Sequence, residues 1–289
     1  MTLRFPSSFL ANTALKLACF GAVALVVLNP NLKRAAMQLN HLRTPEACIQ
    51  TDFPGMKNIQ YQINRLAERD PTQPEGQLVE RFVLNRIRYV SDYENWWNIE
   101  YWPLAREVWE LKQEDCDGRA ILAASILRAR GFSSATLMVG LDHMWVQVDA
   151  NEKTPGAPQR IEGLLRPGRD AQIKIPKKPG TDHYLQLARA FAQPRALRET
   201  VMGVVSDIPA LRRLLLIGVL LFLLYHPCTD TMGVIALGAI SIAAAAILTH
   251  TSPESSPTEW YLGLGLVALG AVLAVVSSRF TLRQQSPRL

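Results

Sequence analysis

The fold is decided by the stretch Glu114-Asp115-Cys116-Asp117-Gly118-Arg119-Ala120, in which a single cysteine stands between two aspartates. Small and apolar residues then recur three or four positions apart, a spacing that predicts a helix beginning at Cys116 and ending before Gly131. The positions that set this period are Cys116, Ala120, Ala123, Ala124 and Leu127. The first turn of a helix has unpaired N–H groups and the positive end of the helix dipole, and both favour a thiolate. The sequence therefore predicts a Cys116 thiol with a lowered pKa, as a cysteine nucleophile requires.

A lone histidine opens the next regular segment, His143-Met144-Trp145-Val146-Gln147-Val148. The alternation in this segment, and in the run at 135–139, predicts two antiparallel strands. Because side chains alternate across a strand, His143, Trp145 and Gln147 are expected on one face. A cysteine nucleophile needs an adjacent base. His143 is the candidate, provided that its strand packs beside the N-terminus of the Cys116 helix.

The order and spacing of these residues resemble the transglutaminase-like superfamily, and within it the bacterial transglutaminase-like cysteine peptidases. The residues that carry the resemblance are Pro103, Glu107, Glu114-Asp115-Cys116, Leu127-Arg128-Ala129-Arg130-Gly131 and the histidine segment. It covers residues 83–165 and implies an α+β, papain-like core with the cysteine on a helix and the histidine and an acid on the following strands. Relatives often carry a second acid directly after Asp-Cys-x, whereas this chain has Gly118.

The resemblance also implies a third residue that orients the histidine ring. Glu162, on a predicted return strand, occupies the place where relatives usually carry aspartate. Two other acids fit less well, since Asp149 lies about 20 Å from His143 along an extended strand and Asp142 is expected on the opposite face. The expected catalytic set is Cys116, His143 and Glu162. The oxyanion donors would be the backbone N–H of Cys116 and an upstream side chain that the sequence does not identify.

The reaction that this set implies is attack of a thiolate on the carbonyl of a protein or peptide amide, followed by release of the acyl group. Release to water would make the chain a cysteine peptidase or amidase, a hydrolase, which is what the resemblance implies. Release to an amine would make it a protein cross-linking acyltransferase, and the residues do not separate the two. A further alternative is a non-catalytic transglutaminase-fold module that binds a partner protein or a peptidoglycan peptide, with Cys116 as a buried structural thiol.

Composition excludes several other functions. The net charge is +6, but the basic residues are dispersed among acids, so no nucleic-acid partner is expected. No metal ion and no cofactor is expected, because the chain has no Cys-x-x-Cys or His-x-x-x-His spacing. The histidines are isolated at positions 41, 143, 183, 226 and 250. Four scattered cysteines are too few for a disulfide framework, although a Cys48–Cys116 bridge stays an alternative.

The surrounding segments are predicted from periodicity and composition. Helices are expected at 58–68, 77–88 and 104–112, a return strand at 159–165 and a surface connection at 166–180. The segment at 93–103 concentrates aromatic residues: Tyr93, Trp96, Trp97, Tyr101 and Trp102. These residues are expected either to line a cleft near Cys116 or to form a hydrophobic lid over the core.

Apolar runs at both ends divide the chain into five parts. We expect an N-terminal signal anchor or transmembrane helix at 1–30, a transglutaminase-like domain at 31–200, a linker helix at 201–210, a membrane region at 211–279 and a basic tail at 280–289. The membrane region holds about three apolar runs, and about 20 apolar residues cross a bilayer. The expected partners are therefore a lipid bilayer and a protein or peptide substrate at its surface.

The distribution of basic residues bears on orientation. Three arginines at 279, 283 and 288 place the C-terminal tail in the cytoplasm by the positive-inside rule. With one N-terminal anchor and three C-terminal spans, the domain then lies outside the cytoplasm of a bacterial cell. The basic pairs at 33–34 and 212–213 favour the opposite orientation.

Overall fold

The computed structural model describes residues 7–140, 143–148, 173–177, 179–192 and 231–250, together with individual helical positions within 212–219 and 258–272. The chain forms two units. One consists of Met1–Leu32 and Ile208–Leu289, and the other is Lys33–Asp207. Cys116 and His143 belong to the second unit, which is mostly helical with a small sheet. The predicted α+β class is confirmed at this level of detail.

In chain order the helices are α1 (Ser7–Leu28), α2 (Leu32–Arg43), a 3-10 helix (Pro45–Cys48), α3 (Met56–Arg69), α4 (Glu75–Arg86), α5 (Asp92–Trp96), α6 (Ala105–Leu111), α7 (Cys116–Ala129), α8 (Thr181–Phe191) and α9 (Thr231–His250). The helices predicted at 58–68, 77–88 and 104–112 correspond to α3, α4 and α6, and those predictions are confirmed.

Helix α7 is the centre of the Lys33–Asp207 unit. It begins at Cys116, as predicted, and packs against α3, α4, α6, β1 and β2. Every residue from Ala120 to Leu127 is buried, including Ser125. The sequence pattern predicted one apolar face, but the helix is covered on all sides, as core helices are. The helix ends before Gly131, whose φ of 100° suits the left-handed residue that commonly follows a helix.

The sheet consists of β1 (Thr136–Val139), β2 (Met144–Gln147) and β3 (Ile173–Lys174), in the order β2-β1-β3. All neighbouring strands are antiparallel, and Val139 pairs with Met144. The predicted hairpin of β1 and β2 is therefore confirmed. The prediction of a plain surface connection at 166–180 is wrong for β3, because its two residues pair with Met138 and Val139. The predicted return strand at 159–165 lies outside the described residues.

In the other unit, a helix near the N-terminus packs against a helix from the C-terminal part of the chain. Helix α1 packs along α9, and Val23, Val27 and Ala245 form a buried apolar cluster between them. Within the described residues, no single helix combines the length and the apolar character needed to cross a membrane. Thr13–Leu28 and Leu32–Arg43 meet that requirement only when taken together as a bent pair, and the apolar helical stretches Leu237–Leu248 and Tyr261–Gly270 are shorter.

Candidate active site

Cys116 lies at the first position of α7, half-buried, with Asp115 as the N-cap. The Oδ1 atom of Asp115 accepts a hydrogen bond of 2.9 Å from the backbone N–H of Asp117, which satisfies one of the free donors of the first turn. The Sγ atom of Cys116 accepts a hydrogen bond from the backbone N–H of Met144. Because Met144 directly follows His143, the start of β2 lies against the thiol, which is the packing that the sequence predicted.

His143 is half-buried at the entrance to β2. Its ring stacks on that of Trp145, with ring centres 6.2 Å apart and planes 13° from parallel. Trp145 is 2% exposed, so the partner ring is fixed in the core. The carbonyl oxygen of His143 also accepts a 2.8 Å hydrogen bond from the N–H of Gly140. These contacts hold the imidazole on the same face as Trp145, as the strand alternation predicted.

Glu162 is the third member of the expected catalytic set. Glu162 lies outside the described residues, and so do Asp142 and Asp149, the two acids that fitted less well. The role of Glu162 therefore stays a prediction from the resemblance.

Five carboxyl groups lie close together near the start of α7, and only Asp115 and Asp117, which flank Cys116 in the sequence, are evident as its neighbours from the sequence alone. Oxygens of Asp92, Glu100 and Asp117 lie within 4.8 Å of one another, and so do oxygens of Asp92, Glu114 and Asp115. Asp92, Glu114 and Asp117 are buried, whereas Glu100 is exposed. Asp92 and Glu100 come from α5 and the loop after it. Both residues are distant from Asp117 along the chain, so the sequence did not predict that they would lie beside it.

Aromatic residues of the segment at 93–103 hold these carboxyl groups in place. Trp96 Nε1 donates a hydrogen bond to Glu114, and the backbone N–H of Tyr101 donates one of 2.5 Å to Asp92 Oδ2. The other oxygen of Asp92, Oδ1, is buried and has no hydrogen-bond partner in the described part of the chain. Asp92 is only 3% exposed. Burying a carboxylate oxygen without a hydrogen bond costs free energy, unless the oxygen is protonated or lies next to a positive charge.

Burial raises the pKa of the Cys116 thiol to about 12, and the charge of Asp115 acts in the same direction. The hydrogen bond from Met144 opposes this shift without cancelling it. The thiol also donates to Asp117 Oδ1, with Sγ and Oδ1 3.4 Å apart. The lowered pKa predicted from the helix N-terminus is therefore wrong. Loss of solvent and a like charge outweigh the favourable end of the helix dipole.

The pKa values of the acids rise as well. Burial raises the pKa of Glu114 to about 8, and the charge of Asp115 adds to the effect. Burial likewise raises the pKa of Asp92 and that of Asp117 well above the usual range, and the charge of Asp115 adds to both effects. At neutral pH the free site therefore holds a protonated thiol near a Glu114 carboxyl group that retains its proton.

The same carboxyl groups could hold a cation. Asp92, Glu100 and Asp117 supply hard oxygen ligands from three parts of the chain, the ligand type that Ca²⁺ and Mg²⁺ prefer. The histidine and cysteine spacings of the chain predicted no metal ion. Carboxylates brought together by tertiary contacts have no spacing of that kind.

Gly118 has a structural explanation. A Cβ atom at this position would lie 2.9 Å from both Cβ and Cδ of Glu114, closer than real Cβ contacts come. Glu114 is fully buried and accepts a 3.0 Å hydrogen bond from the N–H of Asp115. The space that a side chain at position 118 would occupy is therefore taken by the side chain of Glu114.

The aromatic segment matches both of its interpretations, because Trp102 belongs to the main apolar core, as in a lid, while Trp96 and Tyr101 contact acids near Cys116. Trp96, Tyr101 and Trp102 are buried, and Trp97 alone among its tryptophans is largely exposed, at 49%. Helix α2 fixes the lid, because Gln38 Oε1 accepts a 2.8 Å hydrogen bond from the N–H of Trp102. Trp96 and Tyr101 connect this segment to the site, because Trp96 donates a hydrogen bond to Glu114 and Tyr101 donates one to Asp92.

The Cys48–Cys116 bridge is contradicted, because both cysteines are free thiols. Cys48 is buried in the core, with its Sγ 3.9 Å from the carbonyl oxygen of Trp102.

Neither a protein-family model nor a curated protein sequence matches this chain. The resemblance to the transglutaminase-like superfamily therefore depends on the motif residues alone.

Proposed function

We propose that this chain is a transglutaminase-like thiol enzyme, a cysteine peptidase or amidase that cleaves protein or peptide amides through Cys116 and His143. The observation that carries the proposal is the hydrogen bond from the N–H of Met144 to Sγ of Cys116. It joins the first turn of α7 to the residue next to His143, so the elements that bear nucleophile and base meet at the expected place.

The raised pKa of Cys116 determines how the reaction would start. Because the thiol is protonated in the free enzyme, His143 would remove its proton while Sγ attacks the amide carbonyl, rather than form an ion pair beforehand. The backbone N–H of Cys116, at the N-terminus of α7, would donate to the developing oxyanion. His143 would then pass the proton to the leaving amine, and water would hydrolyse the thioester. Glu162 would orient the imidazole.

Two alternatives remain. A cross-linking acyltransferase shares the first half-reaction and differs only in the acceptor, an amine instead of water. A non-catalytic binding module is favoured by one observation, the high pKa that burial gives Cys116, because a protonated thiol is a poor nucleophile.

The proposal is tested by acylation of the full chain with p-nitrophenyl acetate, a surrogate acyl donor. We expect a burst of p-nitrophenol and one acetyl group on Cys116, located by mass spectrometry of peptides. The burst should be absent in Cys116→Ala, unchanged in Cys48→Ala, and slower by about 10²–10⁴-fold in His143→Ala, the usual contribution of a general base.

Acylation of His143→Ala at the wild-type rate, or a burst that persists in Cys116→Ala, would instead support the binding module. If the burst is present, adding a primary amine such as glycine ethyl ester separates the two reactions, since amide product in place of acetate identifies the acyltransferase.

We propose in addition that residues 1–30 and 211–279 attach the chain to a membrane, on the support of their apolar composition. The expected result is that the full chain stays with the membrane fraction after alkaline carbonate extraction. Recovery in the supernatant would contradict the attachment and leave the acyl-transfer chemistry untouched.

A further inference from the structure

A cavity of about 370 Å³ lies between α3 and α4, away from the acids around Cys116. Its size falls within the range of small-molecule sites. It is lined by Gln62, Arg65, Leu66, Arg69, Phe82, Asn85 and Arg86.

The lining is positively charged. Two arginines come from α3 and one from α4, and these lining residues include no carboxylate. Arg65 has an exposed and therefore weak pair with Glu68, at 3.7 Å. Arg69 and Arg86 have no ion-pair partner among the residues that the structure describes. Arg65, Arg69 and Arg86 are exposed, so their positive charges are accessible to an anion that enters the cavity.

A fourth basic residue, Lys112, lies near the arginines of the cavity. Lys112 lies over the ring of Trp109, which stacks on the lining residue Phe82, with ring centres 6.0 Å apart. Burial and, to a smaller extent, the nearby charge of Arg86 lower the pKa of Lys112 to about 8. Lys112 therefore adds positive charge near Arg86.

One lining residue, Gln62, has a side-chain acceptor atom without a hydrogen-bond partner in the described ranges. Gln62 Nε2 donates a 3.1 Å hydrogen bond to Asn58 Oδ1. Its Oε1 atom is buried and has no hydrogen-bond partner within the described ranges. Water or a ligand donor must satisfy such an atom. A ligand that fits the cavity thus combines an anionic group for the arginines, a hydroxyl for Gln62 and a small apolar surface for Leu66 and Phe82.

We propose that this cavity binds the phosphate group of a hydroxyl-bearing phosphate ester, with Arg69 and Arg86 holding the phosphate and Gln62 accepting from the hydroxyl. A phosphate fits better than a carboxylate, because guanidinium groups reach the cavity from two helices and a phosphate offers three tetrahedral acceptor oxygens. The same chemistry occurs in a free polyol phosphate and in the headgroup of a phosphatidylglycerol lipid. The site is independent of the acyl-transfer chemistry at Cys116.

The first experiment is calorimetric titration of the full chain, in a non-ionic detergent, with glycerol 3-phosphate. The double variant Arg69→Gln/Arg86→Gln should bind at least about tenfold more weakly, since each lost charge-assisted hydrogen bond accounts for about that factor. The matched control is Arg81→Gln/Arg106→Gln. It removes the same charge from arginines that pair with Asp70 and Glu110 and do not line the cavity. The control should bind like the wild type.

The second experiment separates the two sources of the phosphate ester. Phenylglyoxal labels arginine side chains, and peptide mass spectrometry follows each site. Mixed micelles that contain phosphatidylglycerol, but not phosphatidylcholine, should protect Arg69 and Arg86 and leave Arg106 reactive if the ligand is a lipid headgroup. Protection by glycerol 3-phosphate alone identifies a soluble ester. The proposal is overturned if neither probe protects these arginines, or if the cavity variant and its control bind glycerol 3-phosphate equally.

Discussion

At the scale of single residues, Cys116 is subject to two opposing electrostatic effects. Its place in the first turn of α7 favours the thiolate through the helix dipole. Its burial, and the carboxylate of Asp115 beside it, favour the thiol and raise the pKa to about 12. The second effect is larger because a helix terminus contributes only about half a unit charge, whereas burial removes solvent and Asp115 contributes a full negative charge. The Cys116 thiol is therefore protonated in the free enzyme proposed here, and a base must remove its proton before or during nucleophilic attack.

Asp115→Asn tests this balance, because asparagine is as good an N-cap as aspartate and the helix should keep its start. Removing the like charge should lower the pKa of Cys116, so the midpoint of its alkylation by iodoacetamide should move to lower pH, by a shift on the order of one unit. The rate at Cys116 is followed across pH by peptide mass spectrometry.

The control for this substitution is Glu94→Gln, which removes an exposed charge from α5 outside the cluster of acids. An unchanged midpoint in Asp115→Asn would show that burial alone sets the pKa of the thiol.

At the scale of elements, α7 and the hairpin of β1 and β2 were predictable because their signals are local. An N-cap aspartate, a 3.6-residue period and a terminal glycine specify the helix, and alternation specifies the strands. The burial of α7 on every side was not predictable, since it depends on which elements pack against it. Nor was the role of Gly118, because the residue that needs its space is the buried Glu114. Strand β3 was not predictable either, because it has only two residues, too few to show a strand periodicity.

At the scale of the whole molecule, the buried acids couple stability to pH. The pKa of Glu114 is raised from 4.5 to about 8 in the folded chain, so folding binds its proton more tightly. That contribution to stability is fully present below about pH 4.5 and is lost as the pH rises through 8. Asp92 and Asp117 act in the same direction. We expect the free energy of unfolding to fall between pH 5 and 8.5 by on the order of a few kcal/mol.

Glu114→Gln should make this pH dependence shallower, because the amide does not titrate. Urea unfolding at pH 5 and 8.5, followed by tryptophan fluorescence, measures it, since five of the six tryptophans lie between positions 96 and 145. The exposed Glu94→Gln should retain the wild-type slope. Equal slopes in the two variants would contradict the assignment of a raised pKa to Glu114.

The sequence by itself determined the helix that starts at Cys116, the hairpin that begins its second strand after His143, and the α+β class. Periodicity and capping act within a few residues, so the linear order of the chain contains them. Tertiary structure decided the rest: the meeting of Asp92 and Glu100 with Asp117, the direction of the Cys116 pKa, and the gathering of arginines from α3 and α4 around one cavity. Burial and charge fields arise from residues that are distant along the chain, and only the folded contacts define which residues those are.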